Sequence, residues 1–426
     1  MSDGLPAREA AQKILSEVLR RRAPLDAALA ATTALDPRDA GFAHAIAGET
    51  LRRFGQLDAL IRTYVPQLPA RNRAGSTPEI LLAGACELLF LGVAAHAAVD
   101  AANRLAQADD KARHFKPLIN AVLRRVAREG RAAIEAQDAA RLNTPDWLWQ
   151  SWLETYGEEK SRAIASAHLG LPPLDIVTKQ GALGIPGALP LFGQVWRITE
   201  AVRVDALPGY AEGDWWVQDA AATLPVQLLG DVRGKAVIDL CAAPGGKTAQ
   251  LVSAGALVTA VERDAARLER LKENLQRLRL DATLVLEDAR DFRPEHPAPF
   301  VLLDAPCTAT GTIRRHPELP SIKGASDITL CAQAAGELLD AAADMTEAGG
   351  LLVFAVCSLE REEGREQVED FLRRRAEFSR EAVTPAEVFG LGELIDAQGD
   401  LRTLPCHLAE QGGMDGFYAA RLRRRS

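Results

Sequence analysis

The sequence predicts a multidomain chain of three parts: an all-α bundle over residues 1–135, a small α+β subdomain over 145–215, and a doubly wound α/β domain over 216–426. Three observations predict it. Apolar residues recur at the helical period through the first 130 residues. Gly and Pro then crowd residues 170–193, ahead of two short strand-like runs, VWRITEAVRV and DWWVQD. From residue 217 onward, apolar runs alternate with helical segments, the pattern of a parallel sheet covered on both faces.

In the first part, REAAQKILSEVLRR places Ala10, Ile14, Val18 and Leu19 on one stripe. GFAHAIAGETLRRFGQLDALIRTYV keeps the same period, and KPLINAVLRRVAREG is expected to end at Gly130. The run ILLAGACELLFLGVAAHAAV, Ile80 to Val99, is long and apolar enough to resemble a membrane span. Glu87 in its middle, His96 near its end and two interrupting glycines predict a buried helix pair instead. A polar lead-in and a helical segment around Trp147, ending near His168, open the second part.

Composition bounds the function. The chain of 426 residues is 47% hydrophobic and 25% charged, with a formal net charge of -8, which argues against a general polyanion binder. Residues 1–130 carry 18 Lys and Arg against 14 Asp and Glu, so any nucleic-acid contact must use local patches. Candidates are Arg20–Arg22, Arg52–Arg53 and Lys116–Arg128, although most such residues are solvated helix faces. The cysteines are Cys86, Cys241, Cys307, Cys331, Cys357 and Cys406, without CxxC pairs or zinc spacing, so no metal site is expected. The polar start MSDGLPAREAAQ lacks a signal-peptide core. A cytoplasmic monomer with reduced thiols is the expectation.

The α/β part offers the strands AVIDLCA, ALVTAVER, ATLVLED, FVLLDAP and GGLLVFAVCS, and a closing GFYAARLRR. The first leads into DLCAAPGGKT, where a Gly-rich turn lets a ligand approach the backbone at a helix N-terminus. A triphosphate is one candidate, since GGKT resembles the end of a P-loop. That pattern needs Gly where Cys241 stands, and Pro244 removes an amide the phosphates would use. The other candidate is S-adenosylmethionine. Glu262 ends the second strand, where a carboxylate can accept both ribose hydroxyls, and Asp288 follows the third, near the adenine.

Cys307 and Cys357 each follow an apolar strand and should share the crevice beyond the carboxyl ends of the sheet. Buried structural cysteine explains Cys86 or Cys331, which lie in helical segments, better than it explains this pair. Methylation of pyrimidine carbon 5 fits two thiols. One adds to carbon 6 and makes carbon 5 nucleophilic; the other group assists release. Asp304 could hydrogen-bond N3 and the exocyclic amine.

DLCAAPGGKT, DAPCTATGTIRRHPE, VCSLEREE and GGMDGFYAARL, in this order, resemble the bacterial Sun/RsmB-type members of the NOL1/NOP2/Sun RNA (cytosine-5)-methyltransferases. The opening helix, GETLRRFGQLDALI and NAVLRR resemble the NusB-like bundle that these members carry. The resemblance spans nearly the whole chain and implies a NusB-like RNA-binding domain and a Rossmann-like class I methyltransferase domain. It also implies that Cys357 is the nucleophile and that Cys307 assists product release. Cys241, Ala242, Ala243, Pro244, Gly245, Gly246, Lys247, Glu262, Asp288 and Asp304 are implied to line the S-adenosylmethionine and base site. The implied substrate is a cytosine of 16S rRNA, and a target buried in a duplex would have to be exposed first, favouring naked or partly assembled RNA. Departures from the family pattern are Thr308-Ala309 for Ser-Gly, Val356 for Thr, and Lys179 near an Asn position without the accompanying Arg.

Arg314, Arg315 and His316 are candidates for the phosphates flanking the target. The closing RLRRRS could add RNA affinity, and Trp215 and Trp216 could stack on bases, although adjacent tryptophans beside a sheet more often belong to a core. Two rival readings remain: a P-loop NTPase in which neither cysteine matters, and an RNA-binding assembly factor without activity.

Overall fold

The computed structural model describes residues 4–68, 71–179, 184–200 and 202–426, so the first three residues of the polar start and residues 180–183 of the Gly/Pro-rich stretch lie outside it. Contacts divide the chain into two compact units, Met1–Leu169 with Ile313–Gly324, and Gly170–Thr312 with Ala325–Ser426.

The first unit is helical: α1 Leu5–Arg21, α2 Pro37–Arg52, α3 Phe54–Tyr64, α4 Thr77–Leu89, α5 Ala95–Ala108, α6 Lys116–Glu135 and α7 Asp146–Ala167. Pro6 in the first turn of α1 needs no amide partner there, and Arg22 ends the helix in the left-handed region at φ 57. The predicted stripe is buried at Ala10, Ile14 and Val18, whereas Leu19 is only partly covered. Gly130 does not end α6. The helix runs on to Glu135, and a Cβ at 130 would lie 3.0 Å from a methyl of Leu89, so this glycine serves close helix packing.

The span-like run breaks into α4 and α5 around Gly92 at φ 65. Glu87, 3% exposed, takes a bidentate ion pair from Arg8, with Nη2 at 2.6 Å and Nε at 2.8 Å from Oε2. Burial still raises the Glu87 carboxyl above its ordinary range, against the pull of Arg8. Among the described residues no helix is long and apolar enough to cross a membrane.

Helix α7 groups with the bundle rather than with the small subdomain. Its Leu148 and Trp152 line, with Leu51 and Arg52, a small cavity in the helical unit. The segment Ile313–Gly324 is held there too: Arg22 Nε donates to the Ile322 carbonyl (3.1 Å) and Arg52 Nη1 to the Arg314 carbonyl (2.8 Å).

The second unit holds two sheets. Strands β1 Leu174–Thr178, β2 Ala188–Phe192, β3 Val195–Ile198 and β4 Trp215–Val217 form an antiparallel sheet in the order β2-β3-β1-β4. β2 arises inside the Gly/Pro-crowded stretch, and VRV at 202–204, expected to extend the strand, does not. Trp215 and Trp216 are 0% and 4% exposed, so they are core and cannot stack on bases.

The large sheet comprises β5 Ala236–Leu240, β6 Leu257–Glu262, β7 Thr283–Leu286, β8 Ala298–Asp304, β9 Thr346–Val356, β10 Phe378–Arg380, β11 Leu401–Thr403 and β12 Phe417–Arg424. Its order is β10-β12-β9-β8-β5-β6-β7, with β11 also on β12. β5 to β9 pair in parallel, and β10, β11 and β12 add an antiparallel edge. Alternation along β9 divides the core: Leu351, Val353 and Ala355 join one apolar cluster, Leu352, Phe354 and Val356 the other. The sheet is flanked by α8 Ala220–Gln227, α9 Gly246–Ser253, α10 Ala265–Leu278, α11 Ala325–Met345 and α12 Arg365–Arg374.

Breaking the Arg8–Glu87 pair leaves a buried charge without its partner. Arg8→Ala should cost about 3–5 kcal/mol of stability in urea denaturation of the full chain. Replacing both partners, Arg8→Met with Glu87→Leu, should recover most of that loss.

Candidate active site

Register brings the strand ends together. Leu240 pairs with Val261 and with Leu303, and Asp304 with Ala355, so β5, β6, β8 and β9 finish at one edge. Past that edge the Sγ atoms of Cys307 and Cys357 stand 3.4 Å apart, in contact but well beyond the roughly 2 Å of a disulfide. Both are free thiols. The hydrogen bond to Cys357, followed by burial, pushes the Cys307 thiol well above its ordinary value, so it stays protonated at neutral pH.

At the end of β8, Asp304 Oδ2 accepts from Lys247 Nζ at 2.7 Å. Lys247 is 8% exposed and its ammonium also lies 5.1 Å from the Phe417 ring centroid. A phosphate-binding lysine must be free to reach its ligand. This one is committed to Asp304, which removes the remaining support for a P-loop.

The turn after β5 has the shape its glycines promised. Gly245 sits at φ 102, where a Cβ would be strained and would also meet the Leu271 side chain at 3.1 Å. Thr248, two residues into α9, donates to Asp239 Oδ2 at 2.6 Å. Asp239 is wholly buried and its Oδ1 has no hydrogen-bond partner, so burial lifts its carboxyl to about 7.

A cavity of about 220 Å³ opens beside this turn. Of the predicted cofactor residues, Cys241, Glu262 and Asp288 line it; Ala242 to Lys247 build the turn itself, and Asp304 lies outside the lining. Glu262 is 2% exposed: Oε1 accepts from the Asp264 amide (3.0 Å), while Oε2 has no hydrogen-bond partner, only the Arg267 guanidinium 3.4 Å away. A buried carboxylate oxygen with spare acceptor capacity fits a ribose diol. Arg290 holds the Asp288 carboxyl down at about 2, leaving an anionic acceptor for an exocyclic amine. Burial pushes the Cys241 thiol up to about 12, so it is wall rather than reagent. These residues fit S-adenosylmethionine.

The sequence reading missed the opposite wall, Leu330, Cys331, Ala334 and Leu338 on one face of α11. Leu330 is 66% exposed, and an apolar side chain there suits the flat face of an adenine. The available signal was the helical spacing of these four positions, which by itself also describes a core stripe. Glu363 was missed as well. It is fully buried and accepts from the amide of Thr308 at 2.7 Å.

Arg314 requires correction. Its side chain is 1% exposed and its carbonyl is taken by Arg52, so no phosphate can reach it here. Arg315 is exposed, and His316 Nδ1 lies 3.6 Å from Glu318. Other basic candidates are also committed: Arg20 to Glu79, Arg53 to Glu49, Arg421 to Glu387 and Arg423 to Glu381. On α6, Arg124, Arg125 and Arg128 are exposed, although Arg125 pairs with Glu129 at 2.9 Å and Arg124 donates to Asn120 at 3.2 Å. Ala309, standing where the family pattern has Gly, adopts φ 59, a left-handed conformation that costs an L-residue roughly 1–2 kcal/mol. Val356 points into the apolar core beneath the sheet and offers no hydroxyl beside Cys357.

Residues 226–423 match the family model described as 16S rRNA methyltransferase RsmB/F, and residues 5–128 match the NusB family. The chain is 37% identical to the ribosomal RNA small subunit methyltransferase B of Pseudomonas putida, over 97% of this chain and 98% of that one. The chain belongs to the RsmB/F family. Among solved structures it is similar to PH0851, with 21% identity, a TM-score of 0.76 and coverage of 98% of this chain and 99% of that one. It is also similar to NSun6 from Pyrococcus horikoshii with SFG, with 18% identity, a TM-score of 0.57 and coverage of 66% and 98%. These two likenesses show the shared fold.

Glu262→Gln removes a charged acceptor from the cavity. S-adenosylmethionine binding, measured by calorimetry without RNA, should weaken about 10- to 100-fold. Asp239 gives a pH signature. Its folded value of about 7 lies above its unfolded one, so between roughly pH 4 and 7 the folded chain holds the extra proton and stability falls as pH rises. Urea denaturation at pH 5, 6 and 7 should show that decline reduced in Asp239→Asn.

Proposed function

We propose that this chain methylates carbon 5 of a cytosine in 16S rRNA through a covalent bond between Cys357 and carbon 6 of the base. The coarser statement rests on family membership: the protein is an S-adenosylmethionine-dependent methyltransferase of small-subunit rRNA. The finer one rests chiefly on the two thiols 3.4 Å apart at the ends of adjacent parallel strands.

When bound, S-adenosylmethionine supplies an electrophilic methyl group on a sulfonium. Glu262 and Asp288 would hold its ribose and adenine, and Leu330 on α11 would supply an apolar wall for the ring. Cys357 Sγ adds to carbon 6 as the thiolate, and its proton passes to N3 of the base. Asp304, backed by the Lys247 ammonium at 2.7 Å, accepts from the exocyclic amine and steadies the charge moving onto the ring. Carbon 5, now enamine-like, takes the methyl group, and N3 gives up its proton. Release breaks the bond between Sγ and carbon 6 and returns that electron pair to Cys357. The Cys307 thiol gives its proton to the departing sulfur and takes the carbon 5 proton in exchange, which balances the cycle.

The substrate is naked or partly assembled small-subunit RNA, because carbon 6 must be exposed to a sulfur at the sheet edge. The thiols require a reducing compartment, and the cytoplasm provides one. Arg315, His316 and the exposed arginines of α6 are the remaining RNA contacts.

Radiolabelled S-adenosylmethionine with unmodified small-subunit rRNA tests this on denaturing protein gels. Cys307→Ser should accumulate a labelled protein–RNA adduct, and Cys357→Ser should give neither adduct nor product. An adduct trapped only by Cys357→Ser would exchange the two roles. Wild-type product with a methyl group elsewhere than carbon 5 would overturn the chemistry.

A further inference from the structure

The loops carrying the two cysteines share one buried carboxylate that the mechanism above does not use. Glu363, 0% exposed, lies just before α12 on the loop that follows Cys357. Its Oε1 accepts from the Thr308 amide at 2.7 Å, and its Oε2 accepts from Thr308 Oγ1 at 2.5 Å and from Ser358 Oγ. Thr308 is the residue after Cys307, and Ser358 the residue after Cys357. The carboxylate thus grips both loops one residue beyond each sulfur. The Cys331 thiol hydrogen-bonds it as well, and Cys331 lines the S-adenosylmethionine cavity.

Burial raises the Glu363 carboxyl above its ordinary range, while Ser358, Thr308 and Cys331 pull the other way. Its ligands are one amide, two hydroxyls and a thiol, all donors aimed at one site. A buried carboxylate surrounded by such donors is rigid, because moving any loop strips hydrogen bonds from a desolvated acceptor. Neutral ties join the loops as well: Ser358 Oγ lies 3.5 Å from Thr308 Oγ1 and 3.3 Å from Thr310 Oγ1, Leu359 N donates to Thr310 Oγ1 (2.9 Å) and Gly311 N to the Cys357 carbonyl (3.0 Å). Glu363 adds a charged acceptor to these ties and takes the shorter bonds from Thr308 and Ser358, the residues next to the sulfurs.

We infer that Glu363 is a positioning residue that fixes the Cys307 and Cys357 loops at sulfur contact and ties that contact to the cofactor wall through Cys331. The inference rests on the two-thiol reading of the reaction. It accounts for the hydroxyl at 308, where Thr in place of Ser keeps the donor that the carboxylate requires. It also predicts a specific kinetic pattern. Misplacing reacting atoms by about 1 Å costs on the order of 100-fold in rate, whereas ligand affinity depends on contacts elsewhere.

Two variants test it. In Glu363→Gln one carboxylate oxygen becomes a donor facing the Thr308 amide or the two hydroxyls. Thr308→Val keeps the shape and the amide but deletes the hydroxyl, and it guards against a folding defect in the first. The expected result is a kcat lowered about 10- to 100-fold in Glu363→Gln and by less in Thr308→Val, with KM for RNA and for S-adenosylmethionine within about twofold. The double variant should be no worse than Glu363→Gln alone. In parallel, the pH dependence of alkylation of Cys307, which Glu363 helps to hold protonated, read by mass spectrometry without RNA, should shift in Glu363→Gln. Wild-type kcat and alkylation profiles in both variants would overturn the inference, as would losses confined to KM. If wild-type protein makes no 5-methylcytosine but alkylation still shifts, the positioning stands and the proposed reaction falls.

Discussion

The parallel pairing of β8 with β9 is the constraint on which the site depends. Thiols fifty positions apart in sequence meet only because Asp304 lies opposite Ala355, so the two strands run out at the same level. The pairing continues past the strands, where Ala305 N donates to the Ala355 carbonyl at 2.8 Å. Beyond it, Gly311 N reaches the Cys357 carbonyl, and Gly416 N, just before β12, reaches the Gly311 carbonyl. A side chain at 311 is impossible, since its Cβ would lie 1.9 Å from the Gly416 oxygen. Three chain segments therefore converge behind the sulfurs, and each needs the others in place.

Around that frame, buried polar groups act as pins between elements. Lys247 joins the start of α9 to the end of β8 through Asp304, and Thr248 joins the same turn to β5 through Asp239. In the small sheet, Asp175 takes Arg197 from the neighbouring strand at 2.6 Å and the Ala220 amide at 3.0 Å, fastening that sheet to the first turn of α8. Each ties a desolvated carboxylate to a neighbouring element, and losing the partner would leave part of that desolvation uncompensated. Such pins resist sliding between elements more than apolar packing does, because displacing one strips a hydrogen bond from a desolvated carboxylate.

Much of this was legible beforehand. Strands with runs such as FVLLDAP and GGLLVFAV announce themselves, since a strand buried on both faces must be apolar throughout. The Gly-rich turn and the acids Glu262 and Asp288 were legible for a similar reason: each stands immediately beside a strand end, so local sequence fixes its place. The three-residue strands β10 and β11 were not legible, because pairing with β12 rather than their own pattern makes them strands. Arginine clusters misled more seriously. Arg52 and Arg314 look like surface cations in sequence, yet both are buried; Arg52 Nη1 donates to the His168 and Arg314 carbonyls, brought from distant segments.

The sequence by itself determined the alternation of the main strands and helices, the thiols at two strand ends and the acids beside the Gly-rich turn, all of which follow from short-range patterns. Tertiary structure alone decided that the sulfurs touch, that Lys247 serves Asp304 instead of a phosphate, that α11 walls the cavity, and that Glu363 binds both cysteine loops. The division has a physical cause. Periodicity and turn chemistry are set by neighbours along the chain, whereas sheet register and the partner of a buried charge are set by residues that only the fold brings near.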